Sequence, residues 1–171
     1  MISLDEGIIR EHLKTYNKVS GISCFLTDES GETIYTEGAV QQYCTKFKSL
    51  TGDKCPCAGA HLYAGKQAEK IGESYIYFCP GGLVHWTAPI VIKGIYRCAL
   101  VGGPVQMSLP DSYMVDKIME ANKFDISNKA MLQSYLNLVH FVEPEKVRYL
   151  SEMLYILAKD IMAEEVRVLT E

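Results

Sequence analysis

Four of the six cysteines fall within one third of the chain: Cys44, Cys55, Cys57 and Cys79. Thiolates are soft donors that suit zinc, iron–sulfur clusters or copper(I). His61 stands four residues after Cys57, so on a helix the two share a face. Cys44, Cys55, Cys57 and Cys79, with His61 as an alternative donor, are therefore a candidate ligand set for zinc or an iron–sulfur cluster. One C-x-C pair is less diagnostic than two C-x-x-C knuckles, and a free Cys also behaves as a small hydrophobe. The same thiols equally serve as redox groups or as pocket lining. Cys24 and Cys98 lie inside β-type runs and read as core residues.

Two further chemistries are open to these residue types. Cys79 and His85 could form a thiolate–imidazole pair, but Tyr75–Gly103 contains no Asp or Glu to orient it. The middle of the chain is rich in aromatics: Tyr43, Phe47, Tyr63, Tyr75, Tyr77, Phe78, Trp86 and Tyr96. Such rings either fill a core or line an apolar cavity whose polar tips hydrogen-bond a hydroxylated guest. No phosphate-binding glycine loop is present. His12 and His140 fall on predicted helices as surface or packing residues.

The elements that must position these groups centre on Tyr75–Gly103. Tyr75–Cys79, Leu83–Ile92 and Ile95–Val101 are β-type runs separated by Pro80-Gly81-Gly82 and Lys93-Gly94, which predicts an antiparallel meander ending at Gly102-Gly103-Pro104. Upstream, Leu4, Ile8, Ile9, Leu13 and Tyr16 give one face of a helix over Leu4–Val19, with Ser3 and Glu6 as its capping box. Ile22–Thr27 and Thr33–Thr36 form a hairpin about Asp28-Glu29-Ser30-Gly31. Helices follow over Gln41–Leu50 and Ala58–Ile71. Downstream, helices are predicted from Asp111 or Ser112 to Ala121 and from Ile126 to His140.

Pro144 opens a long final helix. Its Val147, Leu150, Leu154, Leu157, Ile161 and Val168 step by threes and fours, a pattern that fits a coiled-coil connector or a helix packed on its own domain. Met153 and Ile156 widen the stripe. The pattern reaches the last residues without a Gly cap, which predicts continuation beyond Glu171 or a pairing partner. The expected division is residues 1–142 as one domain and 143–171 as the connector.

The bulk properties narrow the function classes. A chain of 171 residues with 48% hydrophobic and 22% charged residues is ordinary for a globular protein. A net charge of −4 leaves no basic footprint for direct nucleic-acid binding. The N-terminus lacks the regions of a signal peptide, and no window is apolar enough for a membrane span. A cytoplasmic location is expected, where thiols stay reduced.

Taken together, Cys44, the Cys55/Cys57 pair before a helix, Tyr77-Phe78-Cys79-Pro80-Gly81-Gly82-Leu83, Ala88-Pro89-Ile90, Gly94 and Gly102-Gly103 resemble the PocR sensory domain over roughly residues 4–142. By spacing, Cys57 matches the family's second cysteine and Cys55 is an extra one. Ala60 and Pro104 depart from the Ser and Gln that are frequent at those places. The first helix and its acidic hairpin are similar to those of PAS-type sensors. The resemblance implies an α+β fold, a PAS-like antiparallel β-sheet flanked by helices with a long C-terminal signalling helix. It implies a non-enzymatic ligand sensor in bacterial signal transduction or transcription regulation. The small-molecule ligand would be a hydrocarbon derivative of alcohol or diol type. The resemblance implies that the family cysteines line the pocket or bind a metal. With the aromatics of the middle region, the expected ligand-binding residues are Cys44, Phe47, Cys57, Tyr77, Cys79, Trp86 and Tyr96, and a homodimer through the terminal helices is expected.

Overall fold

The first helix, α1 (Glu6–Ser20), begins where the Asp5 carboxylate accepts from the Gly7 and Ile8 backbone N–H groups, an N-cap that satisfies two otherwise orphaned donors. Gly21 ends it in the left-handed conformation that glycine tolerates (φ 71°). Ser3 of the expected capping box lies outside the described residues: the structure, a computed structural model, describes residues 4–168, with side chains to residue 165. The hairpin follows as β1 (Cys24–Thr27) and β2 (Thr33–Glu37), and then come α2 (Gln42–Thr51) and α3 (Cys57–Ile71). The meander is β3 (Tyr75–Phe78), β4 (Val84–Ile92) and β5 (Ile95–Val105). The remaining helices are α4 (Ser112–Asn122), α5 (Lys129–Leu136) and α6 (Pro144–Val168).

The five strands form one antiparallel sheet in the order β2-β1-β5-β4-β3, so the expected α+β, PAS-like architecture is present. Two elements differ from expectation. β5 does not stop at Val101 but runs through Gly102-Gly103-Pro104 to Val105. It is held there from both sides, with Gly102 opposite Cys24 on β1 and Trp86 on β4. Gly102 is needed inside the strand because a Cβ there would overlap the Trp86 indole. Pro104, which has no N–H to give, falls where the β4–β5 register shifts.

The helix expected over Ile126–His140 is shorter. A 3₁₀ turn occupies Ile126–Asn128, and α5 ends at Leu136. The Gln106 side-chain amide draws off the terminal carbonyls, donating to Leu136 (2.7 Å) and Val139 (3.3 Å). The Gln106 N–H donates to the His140 carbonyl, and Val142 N–H donates back to Gln106. His140 is thus exposed in an extended segment, not on a helix.

Neighbouring strand residues point to opposite faces. On β4, Val84, Trp86, Ala88, Ile90 and Ile92 join the main core under α1 and α6, while His85 and Thr87 face α3. Trp86 Nε1–H donates to the Tyr16 hydroxyl (2.7 Å), which donates to the Leu150 carbonyl (2.9 Å), tying β4, α1 and α6 together. The α6 stripe lies against this core through Val147, Leu150, Leu154, Ala158 and Ile161. Leu157 is only partly buried, and the side chain of Val168 lies outside the described residues. A second apolar cluster joins α2, α4 and α5 around Tyr43, Phe47, Leu83, Ile118 and Leu132. Among the described residues no helix is long and apolar enough to cross a membrane.

Candidate functional site

The second cluster stands beside the sheet face that carries His85, and a cavity opens between them. α2 supplies one wall. Tyr43 and Phe47 are buried one helical turn apart, and Tyr43 donates its hydroxyl to the Gly81 carbonyl (2.8 Å). Cys44 lies beside them on the same helix. The turn after β3 supplies the second wall. Cys79 N–H donates to the Leu83 carbonyl and Gly82 N–H to the Cys79 carbonyl, both at 2.8 Å. Gly82 is left-handed there (φ 77°), a conformation that needs glycine. α3 presents Cys57 from its first residue and His61 one turn later, while the sheet presents Phe25 and His85. The cavity volume is about 120 Å³. A more polar recess of about 210 Å³ adjoins it, bordered by Glu32, Lys48, Gly52, Cys55, Cys57 and His61.

Of the residues expected from the sequence, Cys44, Phe47, Cys57 and Cys79 meet in the cavity, with His61 among them. Cys55 opens onto the recess instead. Tyr77 stands directly behind the lining. Its hydroxyl is 2.6 Å from His61 Nδ1, and its ring stacks on His85 with centroids 5.6 Å apart. Trp86 is on the other face of the sheet, fully buried against Tyr16, and does not border the cavity. Tyr96 also stands away from it, packed under α3 where a Cβ on Gly65 would overlap its hydroxyl. Sequence reasoning considered His85 only as a partner of Cys79 and passed over Phe25 altogether. The signal for His85 was the alternation Val84-His85-Trp86-Thr87, in which a polar residue sits between two core positions.

The buried thiols and imidazoles of the lining are held neutral, and the one charged side chain that borders the cavity, Lys48, is exposed. Burial, and after it Cys79, pushes the Cys44 thiol up to about 12. Cys57 is raised by burial and then by Cys55, and Cys79 is raised by burial despite nearby backbone N–H donors. Burial and then Lys48 lower His61 to about 4. His85 is held well below its ordinary value by burial and then by His61, with the Leu83 carbonyl acting the other way. A protonated thiol beside a neutral imidazole is the reverse of the ion pair that activates a thiol enzyme. Cys55 differs. Burial raises it, but donation from the Cys57 N–H, the Thr51 hydroxyl and the Cys57 thiol, with the charge of Lys48, brings it below its ordinary value.

One buried polar atom of the lining is unmatched among the described residues. His85 is 4% exposed and its Nδ1 finds no hydrogen-bond partner among the described residues. An orphan of this kind costs about 1–3 kcal/mol unless a guest satisfies it.

A family model described as the sensory domain found in PocR matches residues 3–166. The chain belongs to the PocR sensory-domain family. No significant match to a curated protein or to a solved structure was found. In this PocR domain the three cysteines of the family pattern, Cys44, Cys57 and Cys79, come from three separate elements and share one cavity. Among the described residues no group of three or more His, Cys, Asp or Glu side chains is placed to hold a metal ion.

Proposed function

We propose that this sensory domain binds a small, uncharged hydrocarbon derivative of alcohol or diol type in the cavity between α2, α3 and the sheet. It then passes the change, without enzymatic chemistry, to an output domain through α6. The observation that carries this reading is the largely apolar cavity, with Lys48 as its one charged lining residue, on which Cys44, Cys57 and Cys79 converge. Its volume is near that of apolar cavities that take up benzene, roughly 150 Å³, which favours guests of a few heavy atoms. Neutral imidazoles offer one donor and one acceptor each, a match for hydroxyl groups.

The route to α6 is short. His85 on the cavity face and Trp86 on the core face are consecutive residues of β4, and Trp86 reaches the Leu150 carbonyl of α6 through the Tyr16 hydroxyl. A guest that pairs with His85 therefore acts on a strand packed directly against the signalling helix.

Thermal unfolding in a millimolar panel of short alcohols and diols tests the reading. A ligand at ten times its Kd adds about 1.4 kcal/mol, which raises Tm by roughly 3–6 °C for a chain of this size. The same ligand slows amide exchange on β4 and α6. A panel that leaves Tm unmoved throughout overturns the assignment.

A specific contact favours a second, redox reading. Cys55 and Cys57 lie within hydrogen-bonding reach of one another, and Cys55 is the one thiol of the set held below its ordinary value. A peroxide would oxidise the Cys55 thiolate to a sulfenic acid, and the Cys57 thiol would displace water from it to form a disulfide. Intact mass after hydrogen peroxide treatment should show a loss of two hydrogens that is absent in Cys55→Ser. Stable sulfinic products without a disulfide would rule out this pairing.

A further inference from the structure

We propose that His85 sets the specificity of the cavity: its buried Nδ1 reads a hydrogen-bonding group of an uncharged ligand. This rests on the small-alcohol reading above and names the side chain that recognises the hydroxyl.

Among the described residues that border the cavity, His85 Nδ1 is the buried side-chain atom left without a hydrogen-bond partner. The Leu83 carbonyl lies near the ring but outside hydrogen-bonding geometry to Nδ1. The ring is held on three sides, by Phe25 edge-on at 5.9 Å, His61 edge-on at 5.3 Å and Tyr77 stacked at 5.6 Å between centroids. These contacts fix the plane of the ring without satisfying Nδ1. His61, by contrast, already spends its Nδ1 on the Tyr77 hydroxyl. The cysteine thiols are weak hydrogen-bonding groups, and Phe25, Phe47 and Leu83 offer none. One buried hydrogen-bonding position is thus left without a partner, at a fixed place on β4, whereas Thr33, Thr36 and Lys48, which also border the cavity, are exposed to solvent. A site built around such a position discriminates steeply against analogues that lack the matching group, since they leave it unpaired. A charged guest is disfavoured beside His85 for a separate reason, because the one charged side chain of the lining, Lys48, is exposed and gives no buried counter-charge.

Isomeric probes separate the effects. 1-Butanol and diethyl ether have the same atoms, and only the alcohol carries an O–H donor. Titrated into the folded domain, 1-butanol should bind roughly tenfold or more tighter than the ether. In His85→Phe, which keeps the ring and removes both nitrogens, this preference should disappear, and His85→Asn, with an amide near the Nδ1 position, should restore part of it. Equal weakening of both isomers in His85→Phe, with the preference intact, would mean that the ring only packs, and the proposal fails. If the wild-type domain binds neither isomer nor any diol, the ligand class itself is wrong. Should the variants not fold, nitrogen spectra of histidine-labelled wild-type protein decide. Saturating 1-butanol should shift His85 Nδ1 and leave His12 and His140 in place. An unmoved His85 signal in the bound state overturns the proposal.

Discussion

Replacing Trp86 with alanine should lower the unfolding free energy by about 3–5 kcal/mol, the range for deleting a large aromatic from a packed core. Trp86 has no exposed surface, lies over Gly102 so closely that no Cβ fits there, and donates to Tyr16 in the chain that ends on the α6 backbone. Its removal opens a void at the junction of α1, β4, β5 and α6 and also takes the donor from a buried hydroxyl. Because domains are stable by only about 5–15 kcal/mol, urea titration should show a large fall in midpoint. Trp86→Phe separates packing from ligand contact. It keeps most of the ring and should cost far less, and since Trp86 stands on the face away from the cavity, affinity for a cavity ligand should change little. A collapse of affinity in a folded Trp86→Phe protein would mean that this residue touches the ligand after all.

Acidification should destabilise the domain through its two buried histidines well before the carboxylates respond. His61 falls from 6.5 in the unfolded chain to about 4 in the fold, through burial and then Lys48, and His85 moves the same way. Between those values the unfolded chain binds protons that the fold refuses, so stability rises with pH there. The contribution is complete above about pH 6.5 and drains away as the pH falls toward 4. At about 1.4 kcal/mol per pH unit, His61 alone accounts for a loss on the order of 3 kcal/mol across the window, and His85 adds to it. Asp28 and Asp125 are lowered below 3.8, by Ser30 and Ser127 respectively, so their effect belongs to more acidic solutions. Denaturant midpoints measured from pH 7 to pH 4 should fall steadily in the wild type and less steeply in His61→Gln. A flat profile above pH 5 would contradict the buried, neutral pair.

Much of the scaffold was legible because it rests on local rules. The α1 stripe, the hairpin about Asp28–Gly31, the Pro-Gly-Gly and Lys-Gly breaks of the meander and the Pro144 start of α6 all follow from periodicity and turn chemistry. Where local rules misled, a distant partner had intervened. Gln106 takes the carbonyls that would have continued α5, and pairing on both sides carries β5 past two glycines and a proline. The α6 pattern was legible as a stripe but not in what covers it, since the same three–four spacing serves a sheet of the same chain or a second helix.

The cavity divides along the same line. Residue types and spacing carried the resemblance to the PocR pattern, with Cys57 rather than Cys55 as its second cysteine, and the resemblance implied the α+β class. Only the tertiary structure decided which side chains share a space. A strand sends neighbouring residues to opposite faces, and the sequence does not say which face is which until something packs on each. With α1 and α6 on one side, Trp86 became core. With α2 and α3 on the other, His85 became the unmatched group on the wall where Cys44, Cys57 and Cys79 meet.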